Sequence, residues 1–160
     1  MNRVQTSSPL ERTLLAVADL ATQAADPWWI IGSAAVALHS GHADQVADVD
    51  LLMSAADAER VLGATGAERL DGKPSLRFRS AVFGVWRGAA LPVDVMGDFS
   101  LFTGETWRPI RPLTRQGFAI AGQTLYAPAA GELRDILLAF GRPKDLARAE
   151  RLRRGEQEDG

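Results

Sequence analysis

The chain has 160 residues, 18 Lys+Arg against 20 Asp+Glu, a formal net charge of -2 and no cysteine. That length suits one domain with its own core, and the lack of Cys excludes disulfides, thiolate metal sites and thiol nucleophiles. The balanced charge argues against a strong general nucleic-acid patch, and no segment approaches the roughly 20 apolar residues that span a bilayer.

The N-terminal stretch is broken by Glu11, Arg12 and Asp19, so it lacks the apolar run of a secretory signal and a cytoplasmic location is expected. Ser8-Pro9 opens a first helix, with Leu10, Leu14, Val17, Ala18 and Ala21 at helical spacing, and Asp26-Pro27 ends it. Trp28 to Ile31 reads as a short buried strand. Gly32-Ser33 then leads into a helix from Ala34 to His39, closed by Ser40-Gly41-His42. Val49 to Met53 is a second strand. Ser54 starts a third helix with Asp57 three residues on, an apolar stripe of Ala58, Val61 and Leu62, and Gly63 and Gly66 as stops.

Asp71-Gly72-Lys73-Pro74 is a turn, Ser75 to Trp86 holds one or two strands, and Leu91 to Met96 is another. From 97 to about 126 Pro and Gly interrupt the pattern, leaving strand-like pieces at Phe118-Ala119-Ile120 and Thr124-Leu125-Tyr126. Helices follow at Glu132 to Phe140 and Lys144 to about Arg153, separated by Gly141-Arg142-Pro143. Residues 155–160 form a polar tail with the composition of a disordered segment. The order implies a single α/β (α+β) domain over residues 1–154, a small mixed sheet flanked by helices with helices at its C-terminal end.

The chemistry is concentrated in Asp48-Val49-Asp50. Residues two apart on a strand project to one face, so the two carboxylates point together while Val49 and Leu51 point into the core. Their repulsion is relieved by a cation, and hard oxygen donors suit Mg2+ or Mn2+. The alternative is a solvated strand end. Asp94 lies between Val93 and Val95 and so points away from the apolar face of its own strand, where pairing or metal binding offsets the cost of burial. Asp98, after Gly97, is the second choice. Gly32-Ser33 at the start of a helix offers free backbone N–H groups, a favourable dipole and a hydroxyl to a phosphate; an ordinary Ser cap is the alternative.

Together these segments resemble the nucleotidyltransferase superfamily, the polymerase-beta-like fold. They carry an apolar strand ending in Gly32-Ser33, a helix, Asp48-Val49-Asp50 on the next strand and Asp94 on a later one. Gly32 to His39 and the late segment Gly141-Arg142-Pro143-Lys144-Asp145-Leu146 are similar to the small bacterial members, the AbiEii-like and minimal nucleotidyltransferases. The Arg-rich, Ala-rich composition also suggests a GC-rich bacterial genome. The resemblance implies transfer of an NMP from an NTP, ATP among the candidates, to a hydroxyl acceptor by a two-metal mechanism, the acceptor being protein, RNA or a small molecule. Asp48, Asp50 and Asp94 would hold Mg2+ or Mn2+ and carry catalysis, and Gly32, Ser33 and Lys144 would bind the nucleotide. Asp44 and Val46 stand where relatives carry Arg and Thr, which motivates the alternative of a nucleotide-binding or toxin–antitoxin partner protein without catalysis.

His39 and His42 read as helix-end or solvated groups, and one of Trp28 and Trp29 as core with the other partly exposed. Arg77 and Arg79 read as a solvated face that would meet phosphate only if it borders the cleft. Arg148, Arg151, Arg153 and Arg154 read as an outer helix surface offset by Glu150.

Overall fold

The computed structural model describes residues 8–42, 46–71 and 75–159. In chain order the elements are α1 (Pro9–Leu20), β1 (Trp29–Ile31), α2 (Gly32–Ser40), β2 (Val49–Met53), α3 (Ala55–Thr65), β3 (Glu68–Arg69) and β4 (Phe78–Trp86). There follow β5 (Val93–Phe102), β6 (Trp107–Pro109), β7 (Gln116–Ile120), β8 (Gln123–Ala127), α4 (Ala130–Phe140) and α5 (Pro143–Asp159). The main sheet runs β1-β2-β5-β4-β3, with β6 also paired to β5, and β7-β8 form a separate hairpin. β2 and β5 run parallel, and β1–β2, β4–β5, β3–β4 and β5–β6 run antiparallel. This is the mixed α+β architecture expected from the order of elements. Among the described residues no helix is long and apolar enough to cross a membrane.

The period-2 pattern of β2 sorts its side chains. Val49, Leu51 and Met53 join the larger core with Leu14 and Val17 of α1, Ala34 and Ala35 of α2, and Ala58 and Val61 of α3. The opposite face carries Asp50 and then Leu52, which belongs to a second cluster with Ile31, Met96, Phe99, Leu101, Ile110, Ile136 and Phe140. On β5, Val93 and Val95 face the larger core, and a Cβ on Gly97 would lie 2.7 Å from that of Ala58. Asp98 has φ 52 and breaks the alternation, so Phe99 and Leu101 turn to the second cluster.

Several local expectations are revised. β5 extends to Phe102, so Asp98 is inside the strand, where its Oδ1 accepts from Ala55 N at the start of α3 at 3.1 Å. Gly63 lies within α3, which ends at a left-handed Gly66. The two-residue β3 and three-residue β6 are too short to show a period in sequence. α5 is continuous to Asp159, past the expected end near Arg153. The turn at residues 72–74 and the charge at Asp44 fall outside the described residues.

Asp57 makes two connections. Its N–H donates to Ser54 Oγ at 3.2 Å, as the cap pattern implies. Its buried carboxylate does not turn back to the cap but accepts from Ala25 N and Asp26 N, each at 2.9 Å, and from Arg60. Burial opposes the charge, yet these donors outweigh it and hold the carboxyl below its usual pKa. Asp57→Ala is therefore expected to lower the unfolding free energy by about 1–3 kcal/mol. A depressed carboxyl stabilises above the unfolded pKa near 4 and ceases to do so as the pH falls through its native value. Urea unfolding should show the deficit at pH 7 and a smaller one at pH 3.

Candidate active site

β2 and β5 pair in register as Val49↔Val93 and Asp50↔Asp94, and β1 sets Ile31 on the other side of Asp50. In a parallel ladder, register partners share a face. Asp50 and Asp94 are therefore neighbours because of the pairing, and Asp48 joins them from the residue before β2. All three are half-buried, with one carboxylate oxygen from each within 4.8 Å of the others. The expected convergence of Asp48, Asp50 and Asp94 is present in this structure.

Gly32 and Ser33 form the first turn of α2 at the edge of this triad. Ile31, at the cap position, is extended and offers no side-chain acceptor, so the first N–H groups of the helix lack a capping side chain. Gly32 has φ +71, and a Cβ there would lie 2.5 Å from Asp50 Oδ2. Only glycine meets both conditions, left-handed backbone and contact with a carboxylate. The helix terminus and the acidic group are thus pressed together, as they would be if a cation and a phosphate were to share the space.

Lys144 is exposed on the first turn of α5 and does not line the cavity beside the triad; Arg142, two residues earlier, does. Arg142 is held by the fully buried Asp145, with Nε to Oδ2 at 2.6 Å, a second side-chain hydrogen bond of 3.0 Å, and its backbone N–H to Oδ2 at 3.2 Å. Arg148 lies 3.8 Å from the same carboxylate. Both guanidinium groups act on Asp50 through space. Arg148 was expected on an outer helix surface with Arg153 and Arg154. Those two pair with Glu150, whereas Arg148 turns inward with a side chain 21% exposed. The signal available in sequence was the i,i+3 spacing of both arginines around Asp145.

Burial, then Asp48, then Asp94 push the Asp50 carboxyl up to about 8, against the smaller opposing pull of Arg148 and Arg142. Burial and Asp48 raise Asp94 to about 6, opposed by a hydrogen bond from Asp50 and by Arg87. Without a cation, ionising Asp50 beside Asp48 and Asp94 is costly at neutral pH. Hard oxygen donors, mutual proximity and this stored repulsion together fit Mg2+ or Mn2+.

Beside the triad lies an open cavity of about 560 Å³. Its walls include Ile31, Phe78, Phe83, Met96, Phe99, Trp107 and Phe140 together with Arg79 and Arg142. Arg79 therefore borders the cleft, with its guanidinium 4.3 Å from the centre of the Trp107 ring. Other side chains have structural partners. His39 Nε2 contacts Pro128 O at 2.8 Å, and Trp28 is core while Trp29 is partly exposed. Val46 packs against the larger core.

The arrangement of strands and helices is the nucleotidyltransferase fold, which it shares with solved structures. No family model and no curated protein matches the sequence. Solved structures do match. TM1012 from Thermotoga maritima, an inferred nucleotidyltransferase, is 22% identical, with 92% of each chain covered and a TM-score of 0.65. An antigenic nucleotidyltransferase-like protein from Paracoccidioides brasiliensis is 16% identical, covering 92% of this chain and 76% of that one, with a TM-score of 0.57. The antibiotic-resistance factor ANT(2'')-Ia is 16% identical, covering 94% and 83%, with a TM-score of 0.55. ANT(2'')-Ia has also been solved in complex with adenylyl-2''-tobramycin, and that structure matches with a TM-score of 0.52.

Two measurements follow from the triad. A carboxyl raised from about 4 to about 8 destabilises the metal-free fold increasingly as pH rises across that window. The melting temperature of the metal-free protein should therefore fall from pH 5 to pH 8.5. Asp50→Asn should flatten the fall, each kcal/mol relieved being worth roughly 2–4 °C. Separately, Gly32→Ala should weaken Mn2+ binding by at least about tenfold in titration calorimetry, because its Cβ displaces Asp50 Oδ2.

Proposed function

We propose that this chain is a nucleotidyltransferase that moves an NMP from a divalent-metal-bound NTP to a hydroxyl acceptor. The observation carrying this reading is the in-register pairing of Asp50 with Asp94, with Asp48 alongside, against the uncapped N-terminus of α2. Bound there, Mg2+ or Mn2+ would stabilise the attacking and leaving oxygens of an in-line displacement.

The chain's own groups divide the remaining work. Asp48, Asp50 and Asp94 would supply the oxygens that hold the ions. The N–H groups of the first α2 turn and the Ser33 hydroxyl donate to the phosphates of the leaving group. Arg142 and Arg148, fixed by Asp145, add positive charge on the same side, and Lys144 is an outer phosphate contact. Asp94 faces the cavity, where an acceptor hydroxyl would arrive, and its carboxylate takes the proton lost from that hydroxyl.

The test is incubation of the purified chain with NTPs labelled at the α-phosphate, Mg2+ and cell lysate. A labelled acceptor is expected, and Asp50→Ala should reduce labelling by at least about 100-fold. Undiminished labelling by that variant contradicts the site. Binding of Mg2+-NTP with no acceptor ever labelled favours the alternative, a nucleotide-binding or toxin–antitoxin partner protein without catalysis.

A further inference from the structure

The cavity beyond Asp94 has a composition that restricts the acceptor. Phe99, Phe140 and Met96 are buried beneath it, and Phe78, Phe83 and Trp107 present half-buried rings to it. Phe78 stacks on Phe99 at 5.7 Å, and Phe140 meets both edge-on at 5.1 and 5.9 Å, so this wall is fixed. The volume of about 560 Å³ lies in the range that takes a small organic molecule of two or three rings.

The charges point the same way. Outside the triad the described residues line the cavity with one carboxylate, Asp71, which Arg69 already holds at 3.1 and 2.5 Å and which accepts from Phe83 N as well. Arg142 is taken by Asp145. Arg79 lies on the Trp107 ring and has no carboxylate partner among the described residues. A cation spread on an indole face keeps its donors available to a planar anion. Among the described residues outside the triad, the wall thus offers stacking surface and one uncommitted positive group, and no free anion to receive an ammonium.

We infer that the acceptor is a flat hydroxylated aromatic molecule bearing an anionic group, seated with its rings among Phe78, Phe83 and Trp107, its anion on Arg79 and its hydroxyl towards Asp94. A polyamine acceptor would find no uncommitted carboxylate there among the described residues outside the triad. The inference rests on the transfer reading and deepens it. The acceptor oxygen bonds to the α-phosphorus of the NTP, the bond from that phosphorus to the bridging oxygen breaks, and pyrophosphate leaves. The hydroxyl proton passes to Asp94 and then to solvent. The product is the nucleoside monophosphate ester of the acceptor.

The test is calorimetry on the full chain with 6-hydroxy-2-naphthoate, its cationic counterpart 6-(aminomethyl)-2-naphthol, and tobramycin, each with and without Mg2+ and a non-hydrolysable ATP analogue. The naphthoate should bind at least tenfold tighter than the amine, with no tobramycin binding, and should bind together with the nucleotide analogue. Arg79→Ala should erase the preference for the acid, and Trp107→Leu should weaken it at least tenfold, melting curves confirming that both variants are folded. Equal or tighter binding of either amine overturns the inference. So does competitive displacement of the naphthoate by the nucleotide analogue, which would give the cavity to the nucleobase. If the naphthoate binds as expected but Mg2+-nucleotide never does, the transfer reading fails and the acceptor role with it. The acid-over-amine preference is read without turnover, so the two failures are distinct.

Discussion

The structure depends on one pairing, the parallel ladder between β2 and β5. Its register sets Asp50 directly beside Asp94 on a face that is half shielded from water, with Asp48 next to them. Like charges at that separation, partly desolvated, oppose folding in the absence of a cation. The rest of the sheet makes the pairing hard to escape. Val49, Leu51, Val93 and Val95 are fully buried on the other face, and a slip of one residue would exchange them for the carboxylates. Hydrophobic burial on one side therefore holds an electrostatic liability in place on the other, which is the arrangement expected where a site is kept for binding.

Around this liability the chain places positive potential without neutralising it. The α2 terminus abuts Asp50 through Gly32, and Asp145 holds Arg142 and steers Arg148 from the far side. Asp145 is itself fully buried, so the arginines are oriented by a group that cannot easily move. The result is a helix terminus and two arginines whose positive potential acts on Asp50. The adjoining aromatic cavity has a different character: among the described residues its charges outside the triad are tied up in pairs except for Arg79, and its surface is built for stacking.

Much of this was legible in the amino-acid sequence where local chemistry and periodicity agree. The alternation of Asp48-Val49-Asp50-Leu51 marks the face of the acids, and Gly32-Ser33 between an apolar strand and an Ala-rich helix marks the turn that abuts Asp50. What was not legible depends on tertiary placement. The direction of β2 relative to β5 has no local signature, so the contact of Asp50 with Asp94 was an expectation of the family resemblance. Gly97 disguised the length of β5, and the positive φ of Asp98 sends Phe99 and Leu101 to the second cluster although their spacing puts them in phase with Val93 and Val95. The inward turn of Arg148 and the gathering of Phe78, Phe83 and Trp107 around one cavity come from helix packing and strand order, which no single segment encodes.

The central claim is that the three aspartates and the start of α2 together hold metal and phosphate. It is tested most directly by anomalous diffraction from crystals grown with Mn2+ and a non-hydrolysable NTP analogue. The account predicts a manganese peak coordinated by Asp48, Asp50 and Asp94, with the terminal phosphates at the N–H groups of Gly32 and Ser33. Manganese absent from the triad, or phosphates bound away from α2, would contradict it.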